Sequence, residues 1–176
     1  MGYAGGTTTD PTYRNIGDHS EALQVDYDPS VVTYKDLLAV FWEVHQPDRR
    51  SWSRQYMSAI FTHDDEQRRL ATESMEQTAR RLGKTLYTRI LPFTGFTLAE
   101  DYHQKYFLKG AHDIYREIQA RYDSPQAITD ATAAARINGF LGGYGTAGDV
   151  AALQETLQLS PGSARRLTDS AGSANR

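Results

Sequence analysis

His19, Glu21 and His45 have the chemistry of a ligand or acid–base site. His19 and Glu21 are two positions apart, so in extended backbone they share one face. With His45 they could offer nitrogen and oxygen ligands to a divalent metal. The simpler reading makes His19 a hydrogen-bonder within a loop, and no metal or other cofactor is expected. Gly142-Gly143-Tyr144-Gly145 has the glycine density of a phosphate cradle. It lacks the Lys and Ser/Thr of such a loop and the strand before it, so it reads as an interhelical turn. Tyr13 and Tyr56 are two of 11 tyrosines, and on their own they read as packing residues with a wet hydroxyl. The most consequential feature is a count of zero. The chain has no cysteine, which excludes disulfides, thiolate metal sites and any cysteine chemistry carried out by this chain.

The elements that must position these residues follow from periodicity and punctuation. Residues 1–20 are rich in Gly, Thr, Asp and Asn and read as loop, with turns at Gly5-Gly6 and Asp10-Pro11. Residues 22–27 alternate apolar and polar and predict a strand, ended by Asp28-Pro29. Thr33 and Asp36 resemble a capping box opening a helix over 34–45, with Leu37, Leu38, Phe41, Trp42 and Val44 as its apolar face. Phe41 and Trp42 read as core.

A polar loop over 46–55 leads to a second strand at 56–62. Asp64 or Asp65 can cap a helix over 64–82, with Leu70, Met75 and Leu82 inward and Gly83 as its stop. Lys84 to Leu91 predicts a third strand, followed by a short helix around 98–107. Helical patterns then cover 111–122, 125–138 and 147–158, and Ser160-Pro161 can start one more. The end of the chain, 169–176, reads as a disordered tail. Strands and helices interleave, then helices close the chain. That predicts an α+β class, with a mixed central sheet flanked by helices over 1–108 and a helical extension over 109–168.

Bulk properties narrow the function. The chain has 176 residues, 39% of them hydrophobic, enough for a real core. A formal net charge of −3 gives no basic excess for nucleic acid, and no apolar run is long enough to span a membrane. The opening MGYAGGTTTD lacks the basic-then-apolar pattern of a secretory signal, so a cytoplasmic location is expected.

Five segments in series carry a family resemblance. They are GYAGG at 2–6 with PTYR at 11–14, DHSEALQVDYDP at 18–29, LLAVFWEVHQP at 37–47, QYMSAIF at 55–61 and AEDYHQKY at 99–106. In this order they resemble the peptide methionine-sulfoxide reductase A family. The resemblance implies a ferredoxin-like reductase core and a role in protein repair under oxidative stress. It also implies a chemistry: a cysteine thiolate attacks the sulfur of methionine-S-sulfoxide, the oxygen is protonated as it leaves sulfur, and methionine and a cysteine sulfenic acid result. Thioredoxin or another external thiol would then restore the cysteine. By the same resemblance Tyr13, Glu21 and Tyr56 match the polar residues that hold the sulfoxide oxygen, with Glu21 as the acid. His19, Ser51 and Trp52 fall where substrate contacts are expected, and Asp101 and His103 where local structure is braced.

Two departures stand out. The family's nucleophile motif, Gly-Cys-Phe-Trp-Gly, belongs upstream of GYAGG, and the sequence here begins at Met1 directly before Gly2. A first strand and helix of the core are therefore expected to be missing. Ser51 and Ser53 also stand where the family has Asp and Gly, and Met57 replaces an Arg. After Phe107 the resemblance is not expected to continue. Three readings stay open: a reductase whose given sequence is incomplete, a non-catalytic module that recognises oxidised methionine, or a structural remnant.

Overall fold

The computed structural model describes residues 1–173 of the chain. It divides into two compact units that meet in sequence between Glu100 and Asp101. The sequence-derived boundary after residue 108 falls inside a helix, Tyr106–Gly110, whose Leu108 is fully buried in the second unit's core.

In the first unit, β1 (Gly2–Ala4) is the centre of an antiparallel trio with β2 (Ser20–Ala22) and β5 (Phe96–Leu98). All of β1 is buried. Its register sets Tyr3 opposite Glu21 on one side and Thr97 on the other. Gly2 is required there by close packing, because a Cβ would lie 2.3 Å from the Phe96 ring. A parallel pair, β3 (Ala59–Thr62) with β4 (Arg89–Pro92), forms a second sheet. Parallel strands need a crossover, and here it is the long helix between them.

Two helices complete this unit. The first, α1 (Tyr34–Glu43), opens on the Thr33–Asp36 capping box and buries Leu38 and Trp42. Val44 of the expected apolar face is exposed. The second, α2 (Asp65–Leu82), is capped by Asp64, whose carboxylate accepts from the Gln67 amide at 2.7 Å, and stops at Gly83 with φ 64°. Acidic residues in its first turn and arginines in its last complement the helix dipole. The Trp42 indole donates to Ser74 Oγ at 3.0 Å and ties the two helices together. Leu70 and Met75 pack inward as expected, whereas Leu82 in the last turn is exposed.

The strand expected over 22–27 shares only Ala22 with β2. Leu23 and Val25 alternate correctly for a strand, yet they are 69% and 50% exposed and fall outside the strand pairs of the described residues. Pairing with β1 selects Ser20 to Ala22 instead. The strands expected at 56–62 and 84–91 are shorter and sit later, at β3 and β4.

The second unit opens with a 3-10 turn (Asp101–His103) and α3 (Tyr106–Gly110), where a short helix was expected. Then follow α4 (His112–Gln119), α5 (Pro125–Asp130), α6 (Thr132–Leu141), α7 (Ala147–Leu157) and α8 (Pro161–Ser170). The single helix expected over 125–138 is two, broken at Ala131 with ψ 126°. Ile114, Ile118, Ile137 and Leu167 are fully buried in its core. Glu117 clamps the start of α8, accepting from the Ser160 amide at 2.9 Å, Ser160 Oγ at 2.6 Å and Ser163 Oγ at 2.5 Å. Part of the segment expected as a disordered tail is ordered, since α8 continues through Ser170 and Ala171 packs on the core. Residues 174–176 of that segment lie outside the described residues.

Candidate functional site

The site is built on loops that side chains hold in place. After β1, the turn at Gly5 needs φ 76°, and a Cβ there would lie 2.4 Å from the Phe61 ring, so two constraints select glycine. The loop then folds over Asp18. Its carboxylate accepts from the Thr7 amide at 2.8 Å and the Thr8 amide at 2.9 Å, and from both threonine hydroxyls. These bonds, those from Thr8 first, hold the Asp18 carboxyl well below the usual carboxylate range.

His19 is buried beside it. Its Nδ1 accepts from the Gly6 amide at 3.3 Å, so Nε2 carries the proton and donates to the Thr8 carbonyl at 2.9 Å. Both ring nitrogens therefore belong to the loop. His45 is likewise engaged, at Phe41 O and Thr88 Oγ1. Among the described residues no three His, Asp or Glu side chains converge as metal ligands.

Next to this clasp, β2 and the loop before β3 bind each other. Ser20 Oγ donates to the Arg54 carbonyl at 2.6 Å, and the Glu21 amide donates to the Gln55 carbonyl at 2.9 Å. The Arg54 guanidinium donates to the Gly5 carbonyl at 2.8 Å. These three bonds set Glu21, Gln55 and Tyr56 side by side. The Gln55 amide nitrogen donates to Glu21 Oε1 at 2.7 Å and to the Tyr56 hydroxyl at 3.3 Å. The Tyr56 hydroxyl in turn lies 3.3 Å from that of Tyr13, 43 residues earlier.

The hydrogen bond with Tyr13, partial desolvation and the nearby Glu21 carboxylate push the Tyr56 phenol up to about 12, so it stays protonated at neutral pH. Tyr13 itself is fixed from behind. Glu100 accepts from the Tyr13 amide at 3.0 Å with one oxygen and from the buried Tyr3 hydroxyl at 2.6 Å with the other.

Tyr13 and Tyr56 are each partly exposed and Glu21 is half-buried, so the cluster opens to solvent. Trp52 flanks it, with its ring centroid 5.2 Å from that of Tyr56 and tilted by 45°. Ser51 lies in the same turn, and its hydroxyl donates to the Ser53 carbonyl at 2.6 Å. Thus Tyr13, Glu21, Tyr56 and Trp52 come together, Ser51 shapes the turn that carries Trp52, and His19 supports the loop behind. Sequence reasoning missed Gln55, which joins Glu21 to Tyr56, and Glu100, which sets Tyr13. Both lie within the segments that carried the resemblance, but nothing local marks an amide or a carboxylate as a bridge.

Comparison with known proteins places the chain in a family. The family model for peptide methionine sulfoxide reductase matches residues 1–135. The chain belongs to that family. The match reaches well past Phe107, where the resemblance was expected to stop, and includes α3 to α5.

A peptide methionine sulfoxide reductase of Drosophila melanogaster is 40% identical over 163 residues. That alignment takes in 92% of this chain and 65% of the fly protein, so the chain spans just under two thirds of that relative's length. An archaeal peptide methionine sulfoxide reductase MsrA from Methanococcoides burtonii is 43% identical over 62% of this chain and 78% of its own. Among solved structures, the reduced form of Mxr1 from Saccharomyces cerevisiae superposes with a TM-score of 0.59 at 30% identity. It covers 62% of this chain and 69% of Mxr1. Among the described residues no helix is long and apolar enough to cross a membrane.

Proposed function

We propose that this chain forms the sulfoxide-recognition half of a peptide-methionine (S)-S-oxide reductase site. The single observation that carries the reading is the Tyr13–Tyr56–Gln55–Glu21 chain of hydrogen bonds at an open cluster. A sulfoxide oxygen carries strong negative charge and accepts hydrogen bonds. Two neighbouring phenols that now bond each other can both turn their protons onto such an oxygen, and a carboxyl group one amide away can supply the proton needed as it leaves sulfur. Trp52 and the Tyr56 ring offer an apolar wall for the methyl group.

The family's chemistry also needs a thiolate at sulfur, and these 176 residues hold no cysteine. The chain alone therefore binds and orients, and reduction requires a cysteine that it does not supply. As the sulfur–oxygen bond breaks, the oxygen passes to the cysteine sulfur and keeps the donated proton, so the thiolate is oxidised to a sulfenic acid while the sulfoxide is reduced to the methionine thioether. Thioredoxin or another external thiol would reduce the sulfenic acid, which fits a role in repairing oxidised proteins in the cytoplasm.

The test is binding. A blocked methionine-S-sulfoxide amide should quench Trp52 fluorescence and bind more tightly than the thioether. Tyr13→Phe and Tyr56→Phe should each weaken it by about tenfold, as expected for one lost hydrogen bond of roughly 1.4 kcal/mol. Equal affinity for sulfoxide and thioether would overturn the reading. The chain alone should give no turnover with dithiothreitol.

A further inference from the structure

Next to the tyrosine cluster, and sharing Trp52 with it, lies an open cleft of about 440 Å³. Its walls carry Arg49, Arg50, Arg54 and Arg89, with Trp52 and Tyr87 between them. This density of guanidinium groups is unexpected in a chain whose net charge is −3. Among the described residues none of the four makes an ion pair with a carboxylate. The nearest acid in sequence, Asp48, pairs with Lys84 at 2.5 Å and also feels the charge of Arg49, which leaves Arg50, Arg54 and Arg89 without a carboxylate ion pair among the described residues.

Three of the arginines are nonetheless held in place. Arg50 stacks over the Tyr87 ring at 4.7 Å, Arg54 donates to the Gly5 carbonyl, and Arg89 reaches the Met57 sulfur at 3.8 Å. Each uses one contact and keeps further N–H donors free, since a guanidinium has five. Held in place and unneutralised, they offer what a carboxylate ligand needs without the ordering cost of free side chains.

Trp52 belongs to both places: it lines the cleft and packs against Tyr56. An extended peptide advances roughly 3.3 Å per residue, so a peptide whose oxidised methionine meets Tyr56 can reach the cleft past Trp52 with its neighbouring residues. We propose that the cleft is a specificity subsite for acidic residues flanking methionine sulfoxide, so that this protein prefers oxidised methionines in acidic peptide segments. This rests on the sulfoxide reading given above.

Three blocked peptides separate the two. One carries methionine-S-sulfoxide between glutamates, one carries it between glutamines, and one has norleucine between glutamates. Their affinities are measured by calorimetry on the full chain at low and high salt, and on R50Q/R89Q. The glutamate-flanked sulfoxide should bind about three- to tenfold tighter than the glutamine-flanked one at low salt, the range expected of one or two exposed ion pairs. High salt and R50Q/R89Q should each abolish that advantage while leaving the glutamine-flanked peptide unchanged.

Equal affinity for the two sulfoxide peptides overturns the proposal and leaves the sulfoxide reading standing. So does an advantage that survives in R50Q/R89Q. Norleucine between glutamates binding as tightly as the sulfoxide between glutamates, with loss in R50Q/R89Q, keeps the acidic subsite and defeats the sulfoxide reading.

Discussion

The two units hold themselves together differently. Beyond residue 100, helices close over a continuous apolar core that includes Leu108, Ile114, Ile118, Ile137 and Leu167, all essentially without exposure. Before it, the helix–strand core rests on Leu38, Trp42, Ile60 and Ala71, ringed by residues that are only partly buried. There the chain is spent on loops, and side-chain-to-backbone bonds from Asp18, His19, Ser20 and Arg54 fix them. A packed core tolerates little but does no chemistry. A hydrogen-bonded loop system leaves phenols, an amide and a carboxylate facing solvent in fixed relation. Loops positioned by a scaffold are where binding groups usually sit.

Like-for-like truncation tests that contrast most strongly. Leu108→Ala and Leu38→Ala remove the same atoms from the two cores, at 0% and 4% exposure. A tightly surrounded site cannot collapse onto the cavity, so Leu108→Ala should cost roughly 4 kcal/mol and Leu38→Ala roughly 2 kcal/mol. Denaturant unfolding of both variants against the parent measures the difference. Equal losses would mean that the first core is as well packed as the second.

The second unit also has one hydrogen-bonded clamp, and it sharpens the comparison at acid pH. Desolvation raises the Glu117 carboxyl, but the bonds from Ser160 and Ser163 outweigh it and hold the group below its ordinary value of 4.5. A carboxylate with a lowered folded pKa adds stability that is complete above the unfolded value and is lost as pH falls through the folded one. Glu117→Ala should therefore cost about 1–2 kcal/mol near neutral pH. That cost should shrink as pH drops below the ordinary carboxylate range. A loss that is the same at every pH would show that packing, not the carboxylate, matters there.

How much of this was legible in sequence depends on how local the signal is. Thr33 with Asp36, Asp64, Gly83, Ser124-Pro125 and Ser160-Pro161 mark their helix ends because each cap is made within a few residues. The break at Ala131 was invisible: no side chain caps it, and no Gly or Pro marks it. Leu23 and Val25 alternate like a strand, but pairing across to β1 decides strand position, and it ends at Ala22.

The same distinction runs through the site. Tyr13, Glu21 and Tyr56 were singled out by resemblance, since nothing in their spacing says that hydroxyls 43 residues apart meet. Gln55 and Glu100 were not singled out, because a bridging role exists only once the loops are folded. Glu100 reaches the Tyr3 hydroxyl across 97 residues of chain.

The smallest expected effect probes the first unit at the opposite end of the pH scale. The Tyr56 phenol is pushed up to about 12, chiefly by its hydrogen bond with Tyr13. A raised folded pKa favours the neutral phenol, so whatever this bond adds to stability is complete below about pH 10 and fades as pH climbs through the folded value. The group is solvent-facing, so the effect belongs in its titration and not in the melting temperature. Tyr13→Phe removes the hydroxyl partner and its negative charge at high pH while keeping the ring. In a chain carrying carbon-labelled tyrosine, the Tyr56 Cζ resonance should titrate near 12 in the parent and move back toward 10 in Tyr13→Phe. If Tyr56 titrates at an ordinary value in the parent, the two hydroxyls do not share a proton in solution. The first unit's site would then be a set of neighbouring groups, and its contrast with the second unit's clamped Glu117 would no longer rest on hydrogen bonding.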